Sequence, residues 1–233
     1  MNIPELRIGD LVCKVPIIQG GMGVGISMSG LASAVANEGG IGVISAAVPG
    51  IHEPDAVSNP DGAHIRVLKR EIRTAKKKSA GAIGVNIMVA LTNYPDMLRT
   101  SIDEGVDVVF AGAGLPLDMP GYLENGSKTK LVPIISSART ANILCKKWLS
   151  RFNYLPDAFV VEGPKAGGHI GFKNEQIDDP DFALEKLIKE VCEAVKPFEA
   201  EANKTIPIIA AGGIFTGDDM HKFLKLGAAG VQM

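Results

Sequence analysis

Three features of the sequence predict an α/β protein with the architecture of a TIM (β/α)8 barrel. Eight short apolar runs recur along the chain, helix-like segments separate them, and the loop after the first run lacks a dinucleotide-binding fingerprint. Most of the runs are rich in β-branched residues and free of charge, which is typical of parallel strands covered on both faces. The predicted strands are Pro16–Gln19, Ile41–Ser45, Ala82–Ile87, Val106–Ala111, Leu131–Ile135, Ala158–Glu162, Ile206–Ala210 and Gly230–Met233.

Segments with apolar residues at helical spacing lie between most of these strands. Strands that alternate with helices through a whole chain favour a parallel sheet with helices packed outside it. The predicted helices surround Leu31 and Val35, run from Ile65 to Ala75, and cover Met97 to Glu104, Ala138 to Phe152, Phe182 to Phe198 and Asp218 to Leu226.

An open, doubly wound sheet is the alternative architecture, and the first loop tests it. That fold would place a GxGxxG motif after the first strand and an acidic residue at the end of the second. The segment Gly21-Met22-Gly23-Val24-Gly25-Ile26 does not fit the motif, and the second strand runs into Ser45-Ala46-Ala47. The closed barrel is therefore the preferred prediction.

The length of the chain bears on how much of a barrel it contains. Its 233 residues fall slightly below the roughly 250 of a typical (β/α)8 barrel. The eighth predicted strand ends at Met233, so no eighth helix follows it. We therefore expect residues 1–233 to form a single domain that lacks a closing C-terminal helix and part of a lid.

Composition argues against several classes of function. The net charge of −2 gives no sign of a nucleic-acid or anionic-membrane partner. The N-terminus has no signal-peptide core, and no apolar run is long enough to span a bilayer. Three scattered cysteines indicate neither a disulfide framework nor a zinc site. We expect a cytoplasmic protein that acts on a small molecule and has no metal site, and we leave its oligomeric state open.

The segment from Val160 to Gly171 carries the clearest chemical signal. An apolar strand ends there in a loop that contains four glycines and His169. Glycines after a strand end allow the backbone to approach a ligand closely, because no Cβ intervenes. Histidine exchanges a proton near neutral pH. The pattern favours a functional role for His169, as a group that exchanges protons, over a structural one.

A second glycine pair follows the seventh predicted strand. Gly212-Gly213 comes directly after Ile206–Ala210, and Thr216 offers an N-cap for the next helix. In (β/α)8 barrels the loops after strands seven and eight commonly bind phosphate through backbone N–H groups. Glycine-rich ends on three strands predict a large, flat, phosphorylated ligand such as a nucleotide cofactor.

These motifs together resemble those of the nitronate monooxygenase family, formerly called 2-nitropropane dioxygenases, and of the related flavin-dependent enoyl-ACP reductase II enzymes. The segments that carry the resemblance are Pro16–Gly23, Glu162–Gly171, Ala210–Ile214 and Gly230–Met233, in the family's order. The resemblance implies an FMN-binding barrel in which His169 is the catalytic base. It also implies cofactor contacts from Gly21, Met22, Gly23, Asn86, Glu162, Gly167, Gly168, Gly212, Gly213, Gln232 and Met233.

Two activities are compatible with this resemblance, and a third class stays open. The first is FMN-dependent oxidation of alkyl nitronates by molecular oxygen. The second is reduction of an enoyl thioester, with NAD(P)H as the reductant. The third is a barrel that binds phosphate without a flavin. Lys165 stands where the family usually has an acid, and Glu162 stands where some members have glutamine.

The long connection from Ala46 to Asp61 is predicted to be irregular and to act as a lid over the barrel. It contains three prolines and cannot form a regular helix or strand. His52 and His64 lie in or beside it, and we predict that both are surface residues.

Overall fold

The computed structural model describes residues 3–124 and 126–233. An antiparallel hairpin comes first, and eight parallel strands then form a nearly closed barrel, which confirms the predicted fold class. The strands are β1 (Leu6–Ile8) and β2 (Leu11–Cys13) in the hairpin, then β3 (Ile17–Ile18), β4 (Gly42–Ser45), β5 (Ile83–Met88), β6 (Val108–Gly112), β7 (Lys130–Ile135), β8 (Phe159–Glu162), β9 (Ile208–Ala211) and β10 (Gly230–Gln232) in the barrel.

All eight predicted strands are confirmed, and no strand end is shifted by more than two residues. Neighbouring strands follow the order β3–β10–β9–β8–β7–β6–β5–β4. A parallel bridge between Ile18 and Ile41 joins the two terminal strands of this ladder, β3 and β4. The carboxyl ends of all eight strands therefore meet at one end of the barrel.

The six predicted helices are also confirmed. No helix of the described residues is long and apolar enough to cross a membrane. Between β6 and β7 the described residues form a short 3₁₀ turn, Met119–Tyr122, where a regular barrel has an α-helix. The helices are α1 (Ser29–Asn37), α2 (Pro60–Lys78), α3 (Tyr94–Asp103), α4 (Ala138–Phe152), α5 (Leu184–Ala202) and α6 (Gly217–Lys225).

Two apolar cores follow from the alternation of side chains along each strand. Residues such as Val161 and Val231 point outwards and pack against the helices. Residues such as Val160 and Phe110 point into the barrel. Phe110 fills the interior closely, because a Cβ on Gly84 of the neighbouring strand would lie 2.9 Å from its ring.

The N-terminal hairpin closes the end of the barrel at which the strands begin. Leu6 and Ile8 are fully buried and belong to the interior core. The sequence analysis did not predict this hairpin. Its signal was the two-residue connection Gly9-Asp10, since a Gly-Asp pair between short apolar runs is typical of tight hairpin turns. Gly9 has the positive φ, +60°, that such turns require.

The connection between β4 and α2 is irregular, as predicted, but it is closely attached to α2. A Cβ on Gly50 would lie 2.7 Å from the carbonyl carbon of Ala63, so the backbone approaches the helix closely there. Arg70 and Arg66 of α2 form ion pairs with acidic side chains of the connection.

The prediction that both histidines of this region lie on the surface is wrong for His64. Its side chain is 8 % exposed, and its Nδ1 accepts a hydrogen bond of 3.0 Å from the buried N–H of Gly50. The buried N–H needs an acceptor, and the imidazole supplies one from the first turns of α2. His52 is exposed, as predicted.

We expect His64→Leu to lower the free energy of unfolding by about 1–3 kcal/mol, because the Gly50 N–H would be left buried without a partner. His52→Leu is the matched control and should change stability by less than about 0.5 kcal/mol. Urea denaturation followed by circular dichroism measures both. Equal stability of the two variants would show that the hydrogen bond contributes nothing measurable.

Candidate functional site

The inner face of the barrel changes from apolar to polar at the carboxyl ends of the strands. Val43 and Val160 lie in the interior core, so the residues two positions later, Ser45 and Glu162, point the same way. Active sites of (β/α)8 barrels lie at this end. By the same alternation the polar residues of this inner face are Ser45, Asn86, Ser136, Glu162 and Gln232.

The loop that follows β3 folds across this end of the barrel towards β5. A Cβ on Gly21 would lie 2.5 Å from the Cβ of Asn86, so only glycine fits there. The N–H of Gly20 donates a 2.6 Å hydrogen bond to the carbonyl oxygen of Met233, just after β10. The side chain of Met22 is exposed. Four of the predicted cofactor-binding residues are thus neighbours in space.

The tip of this loop is strained and rests on the connection after β4. Val24 has a φ of 49°, and Val48 on the neighbouring connection has a φ of 54°. A positive φ is a genuine outlier for a β-branched residue and costs on the order of 1–3 kcal/mol. The N–H of Val24 donates to the carbonyl oxygen of Ala47 at 2.9 Å, which holds the two loops together.

A buried glutamine at the end of β3 fixes the start of the same loop. The side chain of Gln19 donates to the backbone oxygen of Val43 at 2.8 Å and to Ser27 Oγ at 3.1 Å. Ser27 Oγ in turn accepts the N–H of Met22 at 2.9 Å. The sequence analysis missed this network, although a glutamine that ends an apolar strand was the available signal.

The loop between β8 and α5 carries the predicted catalytic histidine on the same end of the barrel. Gly167, Gly168 and His169 are exposed. A Cβ on Gly167 or on Gly168 would have no atom within 4 Å, and Gly168 has a φ of 82°. This part of the loop is therefore open to a ligand.

The second glycine pair lies directly against this loop. A Cβ on Gly212 would lie 2.8 Å from the backbone nitrogen of Ala166, and one on Gly213 would lie 3.1 Å from the Cβ of Lys165. Both glycines have positive φ, 100° and 71°. Gly212 and Gly213 therefore lie on the same side of the barrel rim as the segment that leads to His169.

Glu162 and Gln232 occupy the inner face on either side of β9. Both residues pair in register with Ala211, Glu162 from β8 and Gln232 from β10. Burial raises the pKa of the Glu162 carboxyl to about 7. Among the described residues, the buried Oε1 of Gln232 has no hydrogen-bond partner. Two polar side chains thus flank one alanine on the inner face.

The predicted residues lie along one arc of the barrel rim. In ladder order they belong to β8, β9, β10 and β3, with Asn86 on β5 beyond the intervening β4. The family model for nitronate monooxygenase matches residues 6–233, which is nearly the whole chain.

The chain belongs to the nitronate monooxygenase family.

Two similar proteins are identical to the chain at between a quarter and a third of the aligned positions. A Mycobacterium tuberculosis (strain ATCC 25618 / H37Rv) protein described as (3aS,4S,5R,7aS)-5-hydroxy-7a-methyl-1-oxo-octahydro-1H-indene-4-carboxyl-CoA dehydrogenase is 29% identical over 94% of this chain and 51% of its own length. A probable nitronate monooxygenase of Staphylococcus aureus (strain Newman) is 26% identical over 96% of this chain and 64% of its own.

A solved structure has the same fold as this member of the nitronate monooxygenase family. A mutant of FabK from Thermotoga maritima superimposes with a TM-score of 0.72 at 29% identity, over 95% of this chain and 61% of that one. The chain therefore spans between half and two thirds of the length of the relatives it matches.

The start of α6 bears on the phosphate site predicted for this family member. Thr216 caps the helix as expected, and its side chain accepts the N–H of Asp219 at 3.2 Å. Asp219 in turn accepts the N–H groups of Phe215 and Thr216. An anion at this helix N-terminus would face a carboxylate already bound there.

Proposed function

We propose that the chain forms the flavin-binding barrel of an FMN-dependent oxidoreductase that oxidises alkyl nitronates with molecular oxygen. Family membership and the likeness to a probable nitronate monooxygenase support this proposal. The observation that carries it is the arc of glycine loops and polar side chains from β8 to β5, with His169 at one end of it.

The residues of the arc fit a flavin. The buried Oε1 of Gln232, which has no partner among the described residues, suits a ligand N–H donor. Gly167 and Gly168 leave open space for a ligand, because a Cβ on either would have no atom within 4 Å. We assign Gly212 and Gly213 to the phosphate and Asn86, Glu162, Met22 and Met233 to the neighbourhood of the ring.

When bound, the flavin would supply the electron transfer between substrate and oxygen. The chain's own contribution would be to position the substrate and to move its proton. His169 is exposed on a loop fixed at its base by Gly212 and Gly213, so its imidazole can reach a substrate held at the mouth. An imidazole suits removal of a proton near neutral pH.

A second candidate is reduction of an enoyl thioester, with NAD(P)H as the reductant. Likeness to FabK and to a carboxyl-CoA dehydrogenase favours it. Large apolar side chains are also exposed on the loops at the carboxyl ends of the strands, where an acyl chain would find apolar contact. They are Met22, Val24, Ile26, Ile51, Leu115, Phe215 and Met233.

Two measurements on purified protein loaded with FMN distinguish the candidates. Oxygen consumption with an alkyl nitronate, and no bleaching of the flavin by NADH or NADPH under anaerobic conditions, is the expected result. Rapid bleaching followed by reoxidation with an enoyl-CoA would favour the reductase instead. Protein that stays colourless after addition of FMN would contradict both and favour a barrel that binds phosphate without a flavin.

A further inference from the structure

Glu162 carries a partly buried carboxyl group, and the proposed function places it near the ring without giving it a chemical task. It ends β8, and its side chain points into the barrel because Val160, two residues earlier, lies in the interior core. No hydrogen bond or ion pair within the described residues satisfies the carboxyl, and burial is the cause of its raised pKa. Desolvation of an acid without partners disfavours its ionised form relative to its neutral form.

The charged groups around Glu162 do not stabilise its ionised form. β9 has no ionisable residue, and on β7 Lys130 lies at the opposite end, paired with Asp10. The charged residues of α5 lie beyond the outer core, which separates that helix from the barrel interior. Lys165 and His169 of the following loop are exposed to solvent.

Gln232, two strands away from Glu162, provides a buried hydrogen-bond acceptor, its Oε1. Glu162, Ala211 and Gln232 pair in register across β8, β9 and β10, so their side chains stand at one level on the inner face. Adjacent strands are about 4.8 Å apart, which puts the outer two Cα atoms roughly 10 Å from each other. The residue between them, Ala211, has only a methyl side chain, so no large side chain separates the two polar groups.

We propose that Glu162 binds the ligand of this barrel as a neutral carboxylic acid that donates a hydrogen bond, while Gln232 Oε1 accepts one from the same ligand edge. This inference rests on the proposed function, because the pyrimidine-dione edge of a flavin offers the required carbonyl acceptors beside an N–H donor. Ionisation of Glu162 removes its donor and sets a buried negative charge against a ligand carbonyl. Ligand affinity is therefore coupled to protonation of this one side chain.

The sign of the coupling follows from the raised pKa. Below about pH 7 the free protein already holds the proton, so affinity is independent of this group. Above about pH 7 the proton must be taken up on binding, and the dissociation constant rises by up to roughly tenfold per pH unit. Glu162→Gln keeps an N–H donor at every pH, so its affinity should stay close to that of the wild-type protein at low pH.

The test measures flavin affinity rather than activity. Quenching of flavin fluorescence gives the dissociation constant between pH 5.5 and 9 for the wild-type protein, Glu162→Gln, and the control Glu175→Gln, an exposed acid of the same loop. Riboflavin is titrated alongside FMN, because the FMN phosphate itself titrates near pH 6. We expect a pH-dependent loss of riboflavin affinity in wild-type protein and in Glu175→Gln, and its absence in Glu162→Gln.

Calorimetry on the wild-type protein provides a second measurement that does not depend on a variant. When riboflavin binds at pH 8, the complex should take up about one proton per ligand, measured in buffers of different ionisation enthalpy. Affinity that does not change with pH, or binding without proton uptake, would overturn the inference and leave the proposed function intact. Absence of flavin binding at every pH would overturn both.

Discussion

His169→Ala is expected to reduce turnover of an alkyl nitronate by about 10²- to 10⁴-fold, the usual contribution of a positioned general base. The side chain is exposed, so its removal leaves no cavity and exposes no buried group. Gly167 and Gly168, which we assign to the cofactor, keep their backbone in the variant. FMN affinity and thermal stability should therefore stay near their wild-type values, and steady-state kinetics with a matched flavin titration checks both expectations.

A second histidine provides the matched control for this experiment. His52 is also exposed on a loop at the same end of the barrel, and its ring would lie 3.6 Å from a Cβ on Gly25. His52→Ala should keep most of its activity. Unchanged turnover in His169→Ala would remove this residue from the chemistry, and equal losses in both variants would indicate a general effect on the loops.

The barrel strands could be predicted because burial on both faces makes a parallel strand a continuous apolar run. β9 is such a run and β8 is one up to Glu162, and the glycine that follows each strand marks its carboxyl end. The hairpin was missed because each of its strands has three residues, and Arg7 and Val12 face solvent. A run that short has too few buried residues to produce a pattern of its own.

The candidate site was predictable only to the level of its loops. Glycines and His169 reveal where the backbone opens, but the relation between Glu162 and Gln232 depends on the register of three strands. Residues 70 positions apart in sequence become neighbours through Ala211 on the strand between them, and no local pattern contains that information. The role of His64 was misjudged for the same reason, since its partner is a backbone N–H on another segment.

Gly42 of β4 shows how closely one helix approaches the barrel. Its neighbours Ile41 and Val43 point inwards, so position 42 faces outwards, towards α1. A Cβ at this position would lie 1.7 Å from the carbonyl oxygen of Ala32. The obstacle is helix backbone, which cannot move away as a side chain can.

We therefore expect Gly42→Ala to lower the free energy of unfolding by about 3 kcal/mol or more, because α1 must shift away from β4 to admit the methyl group. Gly30 in α1 is the matched control, since a Cβ there would have no atom within 4 Å. Gly30→Ala should stabilise the protein by about 0.5–1 kcal/mol through helix propensity and reduced entropy of the unfolded chain. Urea denaturation of the two variants should therefore give midpoints on opposite sides of the wild-type value.

A Gly42→Ala midpoint at or above the wild-type value would mean that α1 does not pack on β4 this closely.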